Sequence, residues 1–110
     1  MSYQEAILDS IGDPTRRRIL DRLRRGPAGV GEIAAELPVS RPAVSRHLGL
    51  MERAGLVMHE EVGTRHVYRL DPDGVDALRR WVDAYWDVVL EAFAEEVRRT
   101  DRAERKEWKR

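Results

Sequence analysis

The chain has 110 residues, of which 36% are charged, and its 20 basic and 20 acidic side chains cancel at neutral pH. This length suits one domain with a small core, and a small core beneath a heavily charged surface favours a second subunit that buries the remaining apolar area. Cysteine is absent, which excludes disulfides, thiolate metal sites and thiol-based redox sensing.

The N-terminal residues MSYQEAILDS lack the basic start and the apolar stretch of a secretion signal. No segment approaches the ~18 consecutive apolar residues that would predict a membrane span. We therefore expect a cytoplasmic protein that has no membrane partner. The charge is unevenly distributed, because residues 71–97 are strongly acidic and residues 98–110 are basic. An argument for a charged partner must accordingly rest on local surface rather than on net charge.

Hydrophobic spacing and capping residues predict four helices in the first half of the chain. The second and fourth begin with a side chain that can cap a helix, Asp13 and Ser40, and each has a proline in its first turn, where proline is tolerated. The expected helices are Tyr3 to Ile11, the Asp13-Pro14 cap to Gly26-Pro27, Glu32 to Leu37, and the Ser40 cap to Gly55.

The third and fourth helices are joined by a turn of only a few residues, and Ala34 occupies the close-contact position of the first of the pair. This is a helix-turn-helix pattern. Val44, Leu48 and Met51 repeat at i, i+4 and i+7 in the second helix of the pair. We therefore expect these three side chains to face the core.

A hairpin and a long helix follow. Residues 57–70, VMHEEVGTRHVYRL, read as two strands of about six residues around a Gly63-Thr64 turn. Asp71-Pro72 starts a helix to roughly Arg99, and the charged tail at 100–110 either continues it or frays. The predicted fold is mainly α with a small β-hairpin: a winged helix-turn-helix in one domain, residues 1–99, with N- and C-terminal dimerisation helices.

The winged-helix arrangement predicts double-stranded DNA as a partner, because the second helix of the pair can lie in a major groove while the hairpin reaches the backbone or the minor groove. No acidic residue lies between Glu36 and Glu52. Arg46 can bind two acceptors on a guanine edge, and Ser40 and Ser45 suit phosphate oxygens. The candidate DNA-binding residues are Ser40, Arg41, Pro42, Ser45, Arg46, His47 and Arg65.

Several of these residues also fit a structural role. Arg41 and Arg46 would solubilise an exposed helix even if no DNA approached it. His47 suits either a donor to a phosphate or a residue that packs against the wing. Arg65 lies just past the wing turn, where it is placed for a minor-groove or phosphate contact.

The last helix carries a wide apolar stripe at helical period. In so small a domain this stripe predicts antiparallel or crossed packing with the first helix and with the same helices of a second subunit. The candidate dimer-interface residues are Tyr3, Ile7, Leu78, Trp81, Val82, Tyr85, Val89 and Phe93. An effector pocket lined by Trp81, Tyr85, Trp86 and Phe93 is the alternative.

Neither a metal site nor an active site is predicted. His59 and His66, with Glu60 or Glu61 nearby, give only a weak metal signal. The sequence has no nucleophile elbow, no phosphate-binding glycine loop and no paired acid/base spacing. We therefore expect no enzymatic activity, no metal and no cofactor.

Three segments, GDPTRRRILDRL, GEIAAELPVSRPAVSRHLGLMERAGLV and GTRHVYRLDPDGV, resemble the ArsR-type winged-helix transcriptional repressors over roughly residues 5–75. The resemblance implies a homodimer that binds a palindromic operator, represses transcription and often releases DNA when an effector binds. At matching positions it supports Ser45, Arg46 and His47 in the recognition helix and Arg65 in the wing.

The sequence also departs from that family's metal sensors. Those proteins carry a cysteine pair around the first helix of the helix-turn-helix, where this chain has GVGEIA, or Asp and His ligands on the last helix, which here contains no histidine. The resemblance therefore implies a branch without the usual metal ligands and leaves any small-molecule effector unidentified. Two competing hypotheses remain: a winged-helix module that binds protein, and a metal-responsive repressor that uses the hairpin histidines.

Overall fold

The computed structural model describes residues 2–108 and divides the chain into two compact units, Met1–Leu78 and Arg79–Arg110. Five helices and three strands lie within the described range. They are α1 (Tyr3–Ser10), α2 (Pro14–Arg24), β1 (Ala28–Gly29), α3 (Val30–Glu36), α4 (Arg41–Ala54), β2 (Val57–Val62), β3 (Arg65–Leu70) and α5 (Pro72–Trp108). This order confirms the predicted winged helix-turn-helix and adds one short strand.

The helix starts follow the capping chemistry of the sequence. The carboxylate of Asp13 accepts hydrogen bonds from the backbone N–H groups of Thr15 (2.7 Å) and Arg16 (3.1 Å) at the start of α2. The Ser40 hydroxyl accepts from the N–H of Ala43 (3.3 Å) at the start of α4. Each contact satisfies an N–H group that has no partner within its own helix.

The core of the first unit is built around α4. Val44, Leu48 and Met51 are fully buried, which confirms their predicted inward orientation. The other buried apolar side chains come from every element of this unit: Ile7, Ile19, Leu23, Ala28, Ile33, Leu56, Val57, Tyr68 and Ala77. Because the inward face of α4 is fixed by this core, the opposite face of the helix is held outward.

The wing is a three-stranded antiparallel sheet with the order β1-β3-β2. The predicted hairpin pairs Val57 with Leu70 at its base and Val62 with Arg65 at its tip. The added strand β1 pairs Ala28 with Tyr68 along the other edge of β3. The sequence did not predict β1 because two residues are too few to show a strand periodicity.

Two glycines allow the start of α5 to approach the end of α4 closely. Gly55 ends α4 with φ of 90°, a left-handed conformation that favours glycine. A Cβ atom on Gly74 would lie 2.1 Å from the carbonyl oxygen of Gly55 and 2.9 Å from the Cα of Leu56. Only a residue without a side chain fits at position 74.

The second unit consists of the remainder of α5, which continues past Arg99 to Trp108, so the tail extends the helix, one of the two outcomes that the sequence left open. Ion pairs along the helix support the extension: Arg98 pairs with Glu95 (2.8 Å) and Arg105 with Asp101 (3.1 Å). Such pairs three or four residues apart stabilise a helix. Among the helices within residues 2–108, none is long and apolar enough to cross a membrane.

Candidate nucleic-acid interface

The outward face of α4 presents an uncrowded basic surface. Pro42 and Arg46 are exposed, and a Cβ atom added at Gly49 would meet nothing within 4 Å. Within residues 2–108, the Arg46 guanidinium has neither a hydrogen bond nor an ion pair to another residue. Its five donors are therefore available to an external acceptor.

A groove of about 830 Å³ separates this helix from the wing. Arg41 and Ser45 of α4 line one side, and Arg65 and His66 of β3 line the other. The structure thus brings three of the candidate DNA-binding residues, Arg41, Ser45 and Arg65, to one surface. The first residues of α3 form the floor of the groove between them.

Two glycines on that floor make room for the arginines. A Cβ atom on Gly31 would lie 2.7 Å from Nη2 of Arg41 and 3.1 Å from its Cζ. A Cβ atom on Gly29 would lie 3.1 Å from Nη2 of Arg65. Each guanidinium therefore rests against backbone where a larger residue would displace it.

Glu32 is a residue of this site that the sequence did not single out. Its carboxylate forms an ion pair with the guanidinium of Arg65 and accepts a hydrogen bond from the N–H of Gly29 (3.4 Å). Nη2 of Arg22 lies 3.9 Å from its second oxygen. A glutamate in the first turn of a helix is common, so only the fold reveals that this one faces a wing arginine 33 positions away.

Two further candidate DNA-binding residues, Ser40 and His47, differ in how far they are exposed. Ser40 is exposed, and its hydroxyl already caps α4. His47 is half-buried and lies close enough to Asp13 to help lower the pKa of that carboxyl, which is set first by the N–H groups of Arg16 and Thr15. Its Nδ1 is buried and has no hydrogen-bond partner within residues 2–108. The ring thus neighbours the start of α2, a position that the sequence did not anticipate.

The hairpin histidines lie together without forming a metal site. The rings of His59 and His66 stack with centroids 5.0 Å apart, and Nδ1 of His59 contacts the carboxylate of Glu52. Nε2 of His66 lies 3.9 Å from Glu61. No group of three or more His, Cys, Asp or Glu side chains that could hold a metal ion occurs in the described part of the chain. The hypothesis of a metal-responsive repressor therefore gains no support.

The candidate dimer-interface residues fall into two groups. In the first unit, Ile7 is fully buried in the core and Leu78 packs against that core, whereas Tyr3 is half exposed. Ile7 has no surface left for a second subunit, because its helical face is used within the chain itself. In the second unit Trp81 is half-buried, and the exposed apolar side chains are Val82, Tyr85, Trp86, Val88, Val89, Leu90, Phe93 and Val97.

Trp81 and Tyr85 of α5 contact each other, whereas Phe93 lines a cleft to which neither of them contributes. Trp81 and Tyr85 form a tilted ring pair with centroids 4.7 Å apart. A cleft of about 400 Å³ in the second unit is lined instead by Phe93 and by residues C-terminal to it, among them Val97 and Thr100. The alternative of an effector pocket lined by Trp81, Tyr85, Trp86 and Phe93 is thus not supported by this cleft.

Comparisons with known proteins agree with this geometry. A family model described as a helix-turn-helix domain matches residues 11–60. The HTH-type transcriptional regulator Rv2034 of Mycobacterium tuberculosis is 50% identical over 86 residues, which cover 78% of this chain and 80% of that protein. The arsenic resistance transcriptional regulator ArsR1 of Pseudomonas putida is 34% identical over 90 residues, which cover 81% of this chain and 67% of that protein.

A solved structure has the same architecture. It is the solution NMR structure of a homodimeric winged helix-turn-helix DNA-binding domain from Mycobacterium bovis, described as a possible ArsR-family transcriptional regulator. Its sequence is 28% identical to this chain, and the match covers 81% of this chain and 82% of that one with a TM-score of 0.65. The winged helix-turn-helix geometry and the sequence relationship therefore lead to the same group of proteins.

Proposed function

Because this chain belongs to the ArsR-type family of winged helix-turn-helix transcriptional regulators, we propose that it represses transcription as a homodimer bound to a palindromic operator. The observation that carries the proposal is the outward face of α4, whose arginine at position 46 has no partner in the described part of the chain. Since a protein that regulates transcription works where its operator DNA lies, the proposed location is the cytoplasm.

Each DNA contact follows from the position of its side chain. Arg46 lies on the outer face of α4, which enters the major groove, so its guanidinium reads a guanine edge. Arg41 and Ser45 face the groove beside the wing, where they bind phosphate oxygens that fix the register of the helix. Arg65 reaches the backbone from the wing. Ser40, Pro42 and His47 complete the surface without base contacts of their own.

A second copy of the chain covers the exposed apolar side chains of α5 between Val82 and Val97, here called the apolar band. Side chains such as Tyr85, Val89 and Phe93 are 54–68% exposed, and a contiguous apolar surface of this kind marks an interaction site. The related domain from Mycobacterium bovis is described as homodimeric. Two-fold symmetry then sets the recognition helices roughly 34 Å apart, which matches half-sites separated by ~10 base pairs.

The base-reading role of Arg46 is tested by Arg46→Ala, with Arg24→Ala as the matched control. Arg24 is exposed on α2 and pairs with Asp21, so its loss removes the same charge away from the interface. Arg46→Ala should weaken operator binding by about 1–3 kcal/mol and relax discrimination at one base pair. Fluorescence anisotropy on operator fragments selected from genomic DNA measures both effects. Equal behaviour of the two variants would contradict the role of Arg46.

The dimer is tested by Val89→Asp, which places a charge in the middle of the apolar band. Sedimentation should change from a dimer to a monomer, and operator affinity should fall because one subunit then reaches only one half-site.

A winged-helix module that binds protein would instead show DNA affinity that hardly depends on salt, whereas phosphate contacts must weaken steeply as salt rises. DNA affinity that does not depend on salt would therefore favour the protein-binding module over the repressor.

A further inference from the structure

We propose that Glu32 is an internal competitor of the DNA phosphate: it holds the wing arginine Arg65 in the free protein and must release it when DNA binds. The inference rests on the proposed DNA-binding function and adds a regulatory contact to the same groove. Glu32 lies on the groove floor and is paired with the guanidinium of Arg65. Among the residues lining this groove it is the one acidic side chain that the structure describes.

The ion pair between Arg65 and Glu32 is weak enough to be broken when DNA binds. The side chains of Arg65 and Glu32 are 60% and 48% exposed, and an ion pair in such a solvated position contributes little stability. A phosphate oxygen offers the same guanidinium an equivalent charge-assisted contact. The exchange therefore replaces one weak anionic partner of Arg65 by another.

Glu32 also retains partners after Arg65 leaves. The N–H of Gly29 donates to its carboxylate at 3.4 Å, and Nη2 of Arg22 lies 3.9 Å away. Arg22 is only 14% exposed and is also held by Glu36, with 3.2 Å between Nε and Oε2, so it stays beside Glu32 when Arg65 leaves. Both states of the wing arginine, bound to Glu32 or bound to phosphate, thus leave the carboxylate with contacts.

The neighbouring arginine of the groove differs in this respect. Arg41 rests on the backbone at Gly31 and has no acidic partner within residues 2–108. Arg41 can thus bind phosphate directly, whereas Arg65 must first break its ion pair with Glu32. Glu32 consequently lowers affinity for any duplex, specific or not, and keeps the wing arginine oriented toward the groove until DNA arrives.

The test uses Glu32→Gln, with Glu36→Gln as the matched control. Glu36 lies one turn further along α3 and pairs with Arg22 and Arg25 outside the groove, so both variants lose one charge from the same helix. Binding of the full chain to a labelled random-sequence duplex of about 30 base pairs, long enough for two half-sites, is measured over a series of salt concentrations. Thermal unfolding of each variant verifies that it is folded.

Glu32→Gln should bind up to about fivefold more tightly, the most that so exposed an ion pair is worth. The slope of log K against log salt should steepen by at most about 0.9, the value for one phosphate, because Arg65 then neutralises a phosphate without first giving up an anionic partner. Glu36→Gln should produce neither change. In an Arg65→Gln background, Glu32→Gln should have no effect on affinity or slope.

Each other outcome identifies the step that fails. If Glu32→Gln binds no more tightly than the wild type, Glu32 does not compete with phosphate and the proposal is overturned. A gain in affinity that persists in the Arg65→Gln background, or one that equals the gain of Glu36→Gln, would also overturn it, since Glu32 would then act only as a distant negative charge. If the groove itself binds phosphate, Arg41→Gln weakens binding whatever the result for Glu32. Wild-type protein without salt-dependent binding, unaffected by Arg41→Gln, would overturn the proposed function itself.

Discussion

A single methyl group added at Gly49 should change the stability of the fold and the affinity for DNA in opposite directions. Gly49 lies inside α4, where glycine is less favourable than alanine by about 0.5–1 kcal/mol. A Cβ atom at this position meets nothing within 4 Å, so no steric cost offsets the gain. Gly49→Ala should therefore raise the free energy of unfolding by that amount and raise Tm by about 2–8 °C.

DNA binding by the same variant should move in the opposite direction. The methyl group projects from the face of α4 that carries Arg46, and interfaces pack as densely as protein interiors. Inserting an extra methyl group into such packing costs about 1–3 kcal/mol, which corresponds to a loss of operator affinity of roughly fivefold to 150-fold. Thermal unfolding without DNA and fluorescence anisotropy with operator DNA measure the two effects on the same preparation.

The two measurements refute different steps of the reasoning. A higher Tm with unchanged operator affinity would mean that the face around Gly49 does not touch the duplex. A lower Tm would mean that the space around Gly49 is occupied, against the geometry of the free chain. A loss of affinity together with greater stability cannot arise from partial unfolding, so that result would locate the DNA on this face.

The remaining predictions concern stability and ligands. Gly74→Ala should lower the free energy of unfolding by about 1–3 kcal/mol in a denaturant titration, because its Cβ would lie 2.1 Å from the Gly55 oxygen; unchanged stability would refute the close approach. Backbone N–H groups lower the pKa of Asp13 below its ordinary value of 3.8, so its contribution is present above pH 3.8 and is lost as the pH falls through the lowered pKa. Asp13→Asn, which still caps the helix, should lose less Tm than wild type between pH 7 and about pH 3; equal losses would count against this. Zinc should leave Tm unchanged, and a clear rise would point to a site that the described residues do not reveal.

Local signals in the sequence predicted most of the fold. The caps at Asp13 and Ser40 and the burial of Val44, Leu48 and Met51 all depend on neighbours within a few positions, and all are confirmed. The strand β1 was not predicted, because it depends on pairing with β3. The sequence left open whether the tail at 100–110 continues α5 or frays, and ion pairs that offset its polar composition favour the helix.

The candidate site was predictable only in part for the same reason. The outer face of α4 follows from helical period once its inner face is known. The groove does not, because it forms where the starts of α3 and β3 meet α4 in space. Glu32 and Arg65 are paired across 33 positions, and Ile7 is buried by elements that its own helix cannot reveal. Side chains that meet through tertiary structure leave no periodic pattern.

The distribution of charge explains how a chain with no net charge can bind a polyanion. Three arginines of α5 are neutralised along their own helix: Arg98 pairs with Glu95, Arg99 with Glu96 and Arg105 with Asp101. These ion pairs stabilise α5, and the charges of these arginines are compensated within the helix itself.

Arg41 and Arg46 are arranged in the opposite way. They lie on a helix face without acidic residues, and within residues 2–108 neither guanidinium has an ionic partner. The potential that attracts a phosphate backbone depends on such uncompensated charges within a Debye length, about 8 Å at physiological salt. Arg41 and Arg46 thus supply uncompensated positive potential on the face of α4 where we propose that DNA binds, although the chain as a whole carries no net charge.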